Sequence, residues 1–208
     1  MSKAWSFCLI LFLIGVLPLA AQEEAQEEDH EDEIPSIIWD TYVPDLYRSG
    51  DRTFIITLGP IFPTFFTGSG MEGDSSNLRF GGTGSLAFNY FISPGWFIGG
   101  ELGGMFAATG GRNMLFIIPF GPRIGYQFVI ERFEFPFTLM IGAAPQRYLE
   151  KGYFGLIIKP SASGFFRFNA DWSFGLNAQW WMLPQWPAND KNVLGNFLEL
   201  SLSARYHF

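Results

Sequence analysis

Seven charged side chains recur inside the long apolar runs of this 208-residue chain, away from the ends of the runs: Arg79, Glu101, Arg123, Lys159, Arg167, Glu199 and Arg205. Charges of both signs at such positions can pair and fill an interior, or they can line a path for ions. Nucleophilic or acid–base chemistry needs a histidine within reach of a hydroxyl or thiol. The two histidines are His30, inside an acidic block, and His207, beside the last residue, and neither position marks a catalytic base. The single cysteine, Cys8, lies in an apolar leader, so the mature chain is expected to have no disulfide framework and no thiolate metal site. The glycine-rich stretch Gly81 to Ser85 lies inside a strand-like run and opens no helix, so it reads as curvature and not as a phosphate loop. The sequence therefore predicts a non-enzyme with no cofactor and no metal.

The elements that hold these charges read as strands. Gly, Pro, Asn, Asp and Ser clusters separate eight aromatic-rich runs: 53–66, 78–92, 95–108, 114–130, 134–148, 153–168, 172–183 and 195–208. Each exceeds the roughly 9–11 residues that a tilted membrane strand needs. In the second, third, fourth, sixth, seventh and eighth runs the even-numbered positions are apolar, whereas the fifth changes phase, with Phe135, Phe137, Leu139 and Ile141 on its oily side. All seven charges fall on the other side. A charge facing lipid near the bilayer centre costs about 2–4 kcal/mol, so this segregation predicts hydrocarbon outside and a narrow polar interior. The 24 phenylalanines are expected on the outside. Arg147 falls on the oily phase, so it is expected either to snorkel at the rim or to turn inward at a bulge near Pro145. Internal prolines, Pro119 and Pro122 above all, count against continuous pairing.

The predicted fold is thus all-β: an eight-stranded antiparallel up-and-down transmembrane β-barrel over residues 53–208. Glu101 falls opposite position 121, one diagonal step from Arg123. With Lys159, Glu199 and Arg205 these residues make the expected lumenal charge network, read as a plug and alternatively as a gate or ion path. Trp96, Tyr126, Trp172 and Tyr206 near one rim, and Trp180 near the other, form an expected interfacial aromatic belt. A soluble ligand-holding barrel is the rival fold, but the polar side carries too few charges to coat a soluble exterior.

Residues 1–21 read as a signal peptide, with Lys3 ahead of a short apolar run and Ala20-Ala21 at its end. Residues 22–52 read as an acidic, largely disordered periplasmic segment. Eight acids lie between Glu23 and Glu33, and beyond them the chain carries twelve acids and twelve bases. That balance leaves no basic stripe for nucleic acid.

The closing run, with Leu200, Leu202, Tyr206 and Phe208 on one side, resembles the terminal assembly signal of bacterial outer-membrane proteins. Together with the leader and the eight runs, it makes residues 53–208 resemble the small eight-stranded outer-membrane barrels of the OmpX and OmpW type and the OmpA transmembrane domain. That resemblance implies integral residence in the cell outer membrane after secretion through the inner membrane. It implies membrane lipids, the outer-membrane assembly machinery and periplasmic chaperones as partners, with an extracellular surface ligand open. The class implies a structural or surface-interaction role, with a narrow channel for small apolar solutes of the OmpW type as the alternative and a lipid-modifying enzyme less favoured.

Overall fold

Period-two alternation in each run yields strands that no single sheet face could bury, and the chain resolves this by closing on itself. The structure, a computed structural model, describes residues 47–68, 78–109, 113–148, 151–185 and 193–208. The expected signal peptide, the acidic block and the longer connections lie outside the described residues. The strands are β1 (Arg52–Gly68), β2 (Leu78–Ser93), β3 (Trp96–Thr109), β4 (Met114–Ile117), β5 (Phe120–Ile130), β6 (Phe133–Tyr148), β7 (Lys151–Arg167), β8 (Trp172–Gln185) and β9 (Val193–His207). Each pairs antiparallel with its neighbours. Both β4 and β5 lie between β3 and β6, so they are two halves of one broken stave. Because β1 pairs with β2 and also with β9, eight staves close into a barrel without a free edge.

Tight turns gather at one end. Gly95 has φ +82°, and a Cβ there would meet the Tyr126 ring and the Gln127 carbonyl. Asn169 Oδ1 accepts from the backbone N–H groups of Asp171 (3.0 Å) and Trp172 (2.8 Å), closing the β7–β8 turn.

The apolar parity faces outward. Leu86, Phe88, Ile98, Leu102, Phe120, Ile124, Leu176 and Leu202 are all exposed, and in β6 the phase changes so that Phe135, Phe137, Leu139 and Ile141 are exposed instead. Arg147 stays on that outward phase and is exposed, because β6 and β7 pair through Pro145 without a register shift. In β1 a register shift between Pro63 and Phe66 brings Phe62 and Phe65 both outward.

One expectation needs correction. Phenylalanine is not confined to the outside: Phe91, Phe97, Phe165 and Phe197 are buried in the lumen. Glycines on the facing strand make the room. Phe97 pairs with Gly125 and Phe165 with Gly175, and a Cβ on either glycine would collide with the ring. The prolines do interrupt the pairing, as expected, but only locally, and the barrel still closes. A residue in an antiparallel strand directs its N–H to one neighbour only, so proline removes pairing on one side. Pro122 keeps its place opposite Gly100 of β3, while the β5–β6 ladder is interrupted between Phe120 and Arg123 and resumes in the same register. Pro60 and Pro160 behave likewise against β9 and β8. At Ile118-Pro119 the stave itself breaks, yet Gly103 N–H still donates to the Pro119 carbonyl (2.8 Å) and Ile118 N–H to that of Pro145 (3.0 Å).

Candidate functional site: the packed lumen

Inward positions stack into three levels. At the tight-turn end the closing residue comes from ahead of the barrel. Gly50 (φ +105°) reverses the chain, Arg48 N–H donates to Asp51 Oδ2 (2.8 Å), Gly50 N–H donates to the Phe91 carbonyl and Phe91 N–H to that of Asp51 (2.9 Å each). The reversal sends Tyr47 into the mouth, where it is 4% exposed. Its ring stacks on Phe91 with centroids 4.2 Å apart. Its hydroxyl donates to Glu134 Oε2 at 2.8 Å and lies 3.3 Å from His207 Nδ1. Burial raises the phenol pKa above its ordinary value, with Arg205 opposing the rise and Glu134 adding to it. Glu134 also accepts from Arg205 (2.8 Å) and Arg167 (3.4 Å). Arg205 bonds Gln127 (2.8 Å) and lies 3.8 Å from the Phe165 ring centroid. His207 Nε2 is 2.8 Å from the Ser173 hydroxyl.

The middle level holds Glu101, bonded to Lys159 (2.5 Å) and Arg123 (3.2 Å). Glu101 pairs across the ladder with Gly121, which puts Arg123 on the adjacent inward position. Arg123 also donates to Thr138 (3.3 Å). Glu199 is fully buried and accepts from Trp181 Nε1 (2.8 Å) and Ser201 (2.9 Å). Lys159 Nζ sits 4.2 Å from the Trp181 ring centroid, so the indole bridges the two carboxylate sites. Toward the opposite end the fill turns apolar, with Ile61, Met105, Ile117, Met140, Ile157, Trp181, Leu183 and Phe197 in one buried cluster.

Of the residues singled out from sequence, Glu101, Arg123, Lys159 and Glu199 thus share one level. Arg205 lies apart from them, in the level built on Glu134 and Arg167, because its strand position is close to the tight-turn end. Arg79 is exposed near the opposite rim, beside a register shift between Leu78 and Gly81. Glu134, Tyr47 and Trp181 were not singled out. Glu134 has the inward parity of β6 and was readable. Trp181 has the inward parity of β8, while its neighbour Trp180 is half-buried and donates to Asn196 (3.2 Å). Tyr47 precedes every strand, and no periodicity could place it. On the outer surface Trp96 packs on Tyr126 (5.2 Å), and Trp172 on Tyr206 (5.0 Å) beside Phe208. Leu200 and Leu202 are exposed on the same outward side of β9.

A family profile whose description states no function matches residues 22–206. The chain belongs to that family. An uncharacterized protein of Treponema pallidum (strain Nichols) is 27% identical over 217 residues, covering 99% of this chain and 98% of the relative. A second uncharacterized protein of that organism is 24% identical over 164 residues, covering 71% of this chain and 56% of its own length. Among solved structures, Neisserial surface protein A superposes with a TM-score of 0.59 at 10% identity, over 77% of this chain and 98% of that one. The outer-membrane protein OprG of Pseudomonas aeruginosa gives 0.53 at 10% identity, over 78% and 97%. At such identities the likeness is one of fold. The fold is that of the small eight-stranded outer-membrane barrels.

Proposed function

We propose that the protein is an integral outer-membrane barrel whose lumen is sealed by its own side chains, and that it serves as a structural or surface-interaction protein. The observation that carries this reading is the depth of the fill. Arg205, Phe97 and Phe165 near one end, Lys159 in the middle, and Trp181, Phe197 and Ile117 beyond it are each under 2% exposed or close to it. An eight-stranded interior is just wide enough for side chains. Pairing of Glu101 with Lys159 and Arg123 offsets the cost of holding those charges away from water. On this reading the tight-turn end faces the periplasm, the outward residues meet membrane lipid, and the assembly machinery and periplasmic chaperones act on the chain before insertion. An enzymatic role is not part of the proposal: the Ser173 hydroxyl beside His207 is fully buried under Tyr47, with no face left for a substrate.

Refolded protein in planar bilayers tests the seal. No steady conductance is expected, and a stable open level in the wild type, altered in Glu101→Ala, overturns the reading. A narrow path for small apolar solutes is the second reading, favoured by the apolar upper level and by a recess of about 760 Å³ at the stave break, lined by Met105, Ile117, Phe106 and Phe116. Wild-type-dependent release of an apolar dye from vesicles, without ionic conductance, selects it.

A further inference from the structure

The group that closes the tight-turn mouth is contributed in cis by a residue outside the barrel wall, and every feature of that group is matched. A phenol has two flat apolar faces and one hydroxyl that both donates and accepts. Phe91 lies against one face of the Tyr47 ring at 4.2 Å and 20°. The Arg167 guanidinium lies 5.5 Å from the ring centroid. Glu134, fully buried, accepts the hydroxyl's hydrogen bond at 2.8 Å, and Arg205 donates to the phenol oxygen at 3.4 Å.

Glu134, Arg205 and His207 each have a second anchor besides Tyr47. Glu134 is held by Arg205 and Arg167, Arg205 by Gln127 and the Phe165 face, and His207 by Ser173. The site therefore stands ready without its occupant, as a binding site for small molecules does. We propose that the barrel mouth is a binding site for small para-substituted phenols, occupied in the resting protein by the side chain of Tyr47. The ring must enter hydroxyl first, with its para substituent directed back along the path that the Tyr47 side chain takes. An aromatic without a hydroxyl leaves Glu134 Oε2 with Arg205 as its remaining donor, one fewer than with the phenol, and a carboxylate in its place meets Glu134 as a like charge.

The tether explains why the free ligand is excluded from the intact protein. A residue held next to its site acts at an effective concentration of about millimolar or above, so an external phenol competes poorly until Tyr47 is withdrawn. Phenol binding at the mouth does not require the lumen to conduct.

The test uses full-length protein refolded in micelles, with p-cresol and toluene as paired probes and thermal unfolding as the readout. Tyr47→Gly is expected to unfold at a lower temperature than wild type. p-Cresol should raise its midpoint saturably, toluene far less, and the wild type should respond to neither. Tyr47→Phe, which keeps the ring and loses the hydroxyl, should lie between wild type and Tyr47→Gly. Equal responses to p-cresol and toluene, or a wild-type response as large as that of the variant, overturn the site, because both signify partition into the micelle or binding elsewhere. A folded Tyr47→Gly that ignores p-cresol also overturns it. If Tyr47→Gly does not refold alone, recovery of refolding by p-cresol supports the site and failure to recover overturns it.

Discussion

At the scale of single residues, the interior of the described barrel is organised by the carboxylates of Glu134, Glu101 and Glu199, which differ in how they are satisfied. Glu134 receives two guanidinium groups and a phenol, Glu101 an ammonium and a guanidinium, and Glu199 an indole N–H and a hydroxyl. Burying an ion is tolerable only when its lone pairs are met, and removing one partner of a buried pair costs about 3–5 kcal/mol because the other charge remains. Glu134→Gln leaves Arg167 and Arg205 facing each other without an anion between them. Glutamine at position 199 still offers an oxygen to the Trp181 N–H, and the loss there is about that of a hydrogen bond to a charged group, roughly 1.5–3 kcal/mol. The expected order in urea unfolding of refolded protein is therefore a larger loss for Glu134→Gln, about 3–5 kcal/mol, than for Glu199→Gln. Equal losses would mean that the two arginines are neutralised by something other than Glu134.

At the scale of strands, the barrel's geometry is set by pairs in which one partner is missing a side chain. Phe97 lies opposite Gly125, where an added Cβ would strike the Phe97 ring, the Phe137 carbonyl and the Thr138 methyl. Overpacking of this kind costs about 1–3 kcal/mol, so Gly125→Ala should lower the unfolding free energy by that amount. Gly100→Ala, on the same sheet but with open space at its Cβ position, should be close to neutral. Circular-dichroism melts of the two variants make the comparison. The staves themselves were legible in the sequence because alternation is a property of the backbone: the even-numbered oily side, its switch in β6 and the inward facing of Glu101, Lys159 and Arg205 all follow from period two. The inward phenylalanines carried the same signal, since Phe91, Phe97 and Phe165 sit on the polar parity. Their number on the outside obscured it. Tolerance of Pro122 was not legible, because it depends on which neighbour its missing N–H would have faced, a matter of register and not of composition. Tyr47 was hidden for a further reason: its placement follows from a chain reversal at Gly50, ahead of all periodic sequence.

At the scale of the whole molecule, the two faces of the wall obey opposite rules. Inside, among the described residues, the three carboxylates and the four cations Arg123, Lys159, Arg167 and Arg205 nearly cancel. Outside, large apolar side chains run from rim to rim, with aromatic pairs such as Trp96–Tyr126 and Trp172–Tyr206 at the tight-turn end. Such a surface is unfavourable against water and favourable against hydrocarbon. If lipid is its solvent, the cost of an outward charge must depend on depth. Leu202 is 67% exposed within β9, whereas Phe208 is 69% exposed at the end of the chain beside the rim. Leu202→Arg should therefore destabilise the barrel in phospholipid vesicles by about 2–4 kcal/mol, and Phe208→Arg by about 0–1 kcal/mol. Equal exposure makes the comparison clean, because a difference cannot come from burial against protein. In a micelle, which deforms around a charge, the gap between the two variants should shrink. Equal penalties in vesicles would mean that depth has no meaning for this surface, and the outward apolar parity would then need a protein partner instead of a bilayer.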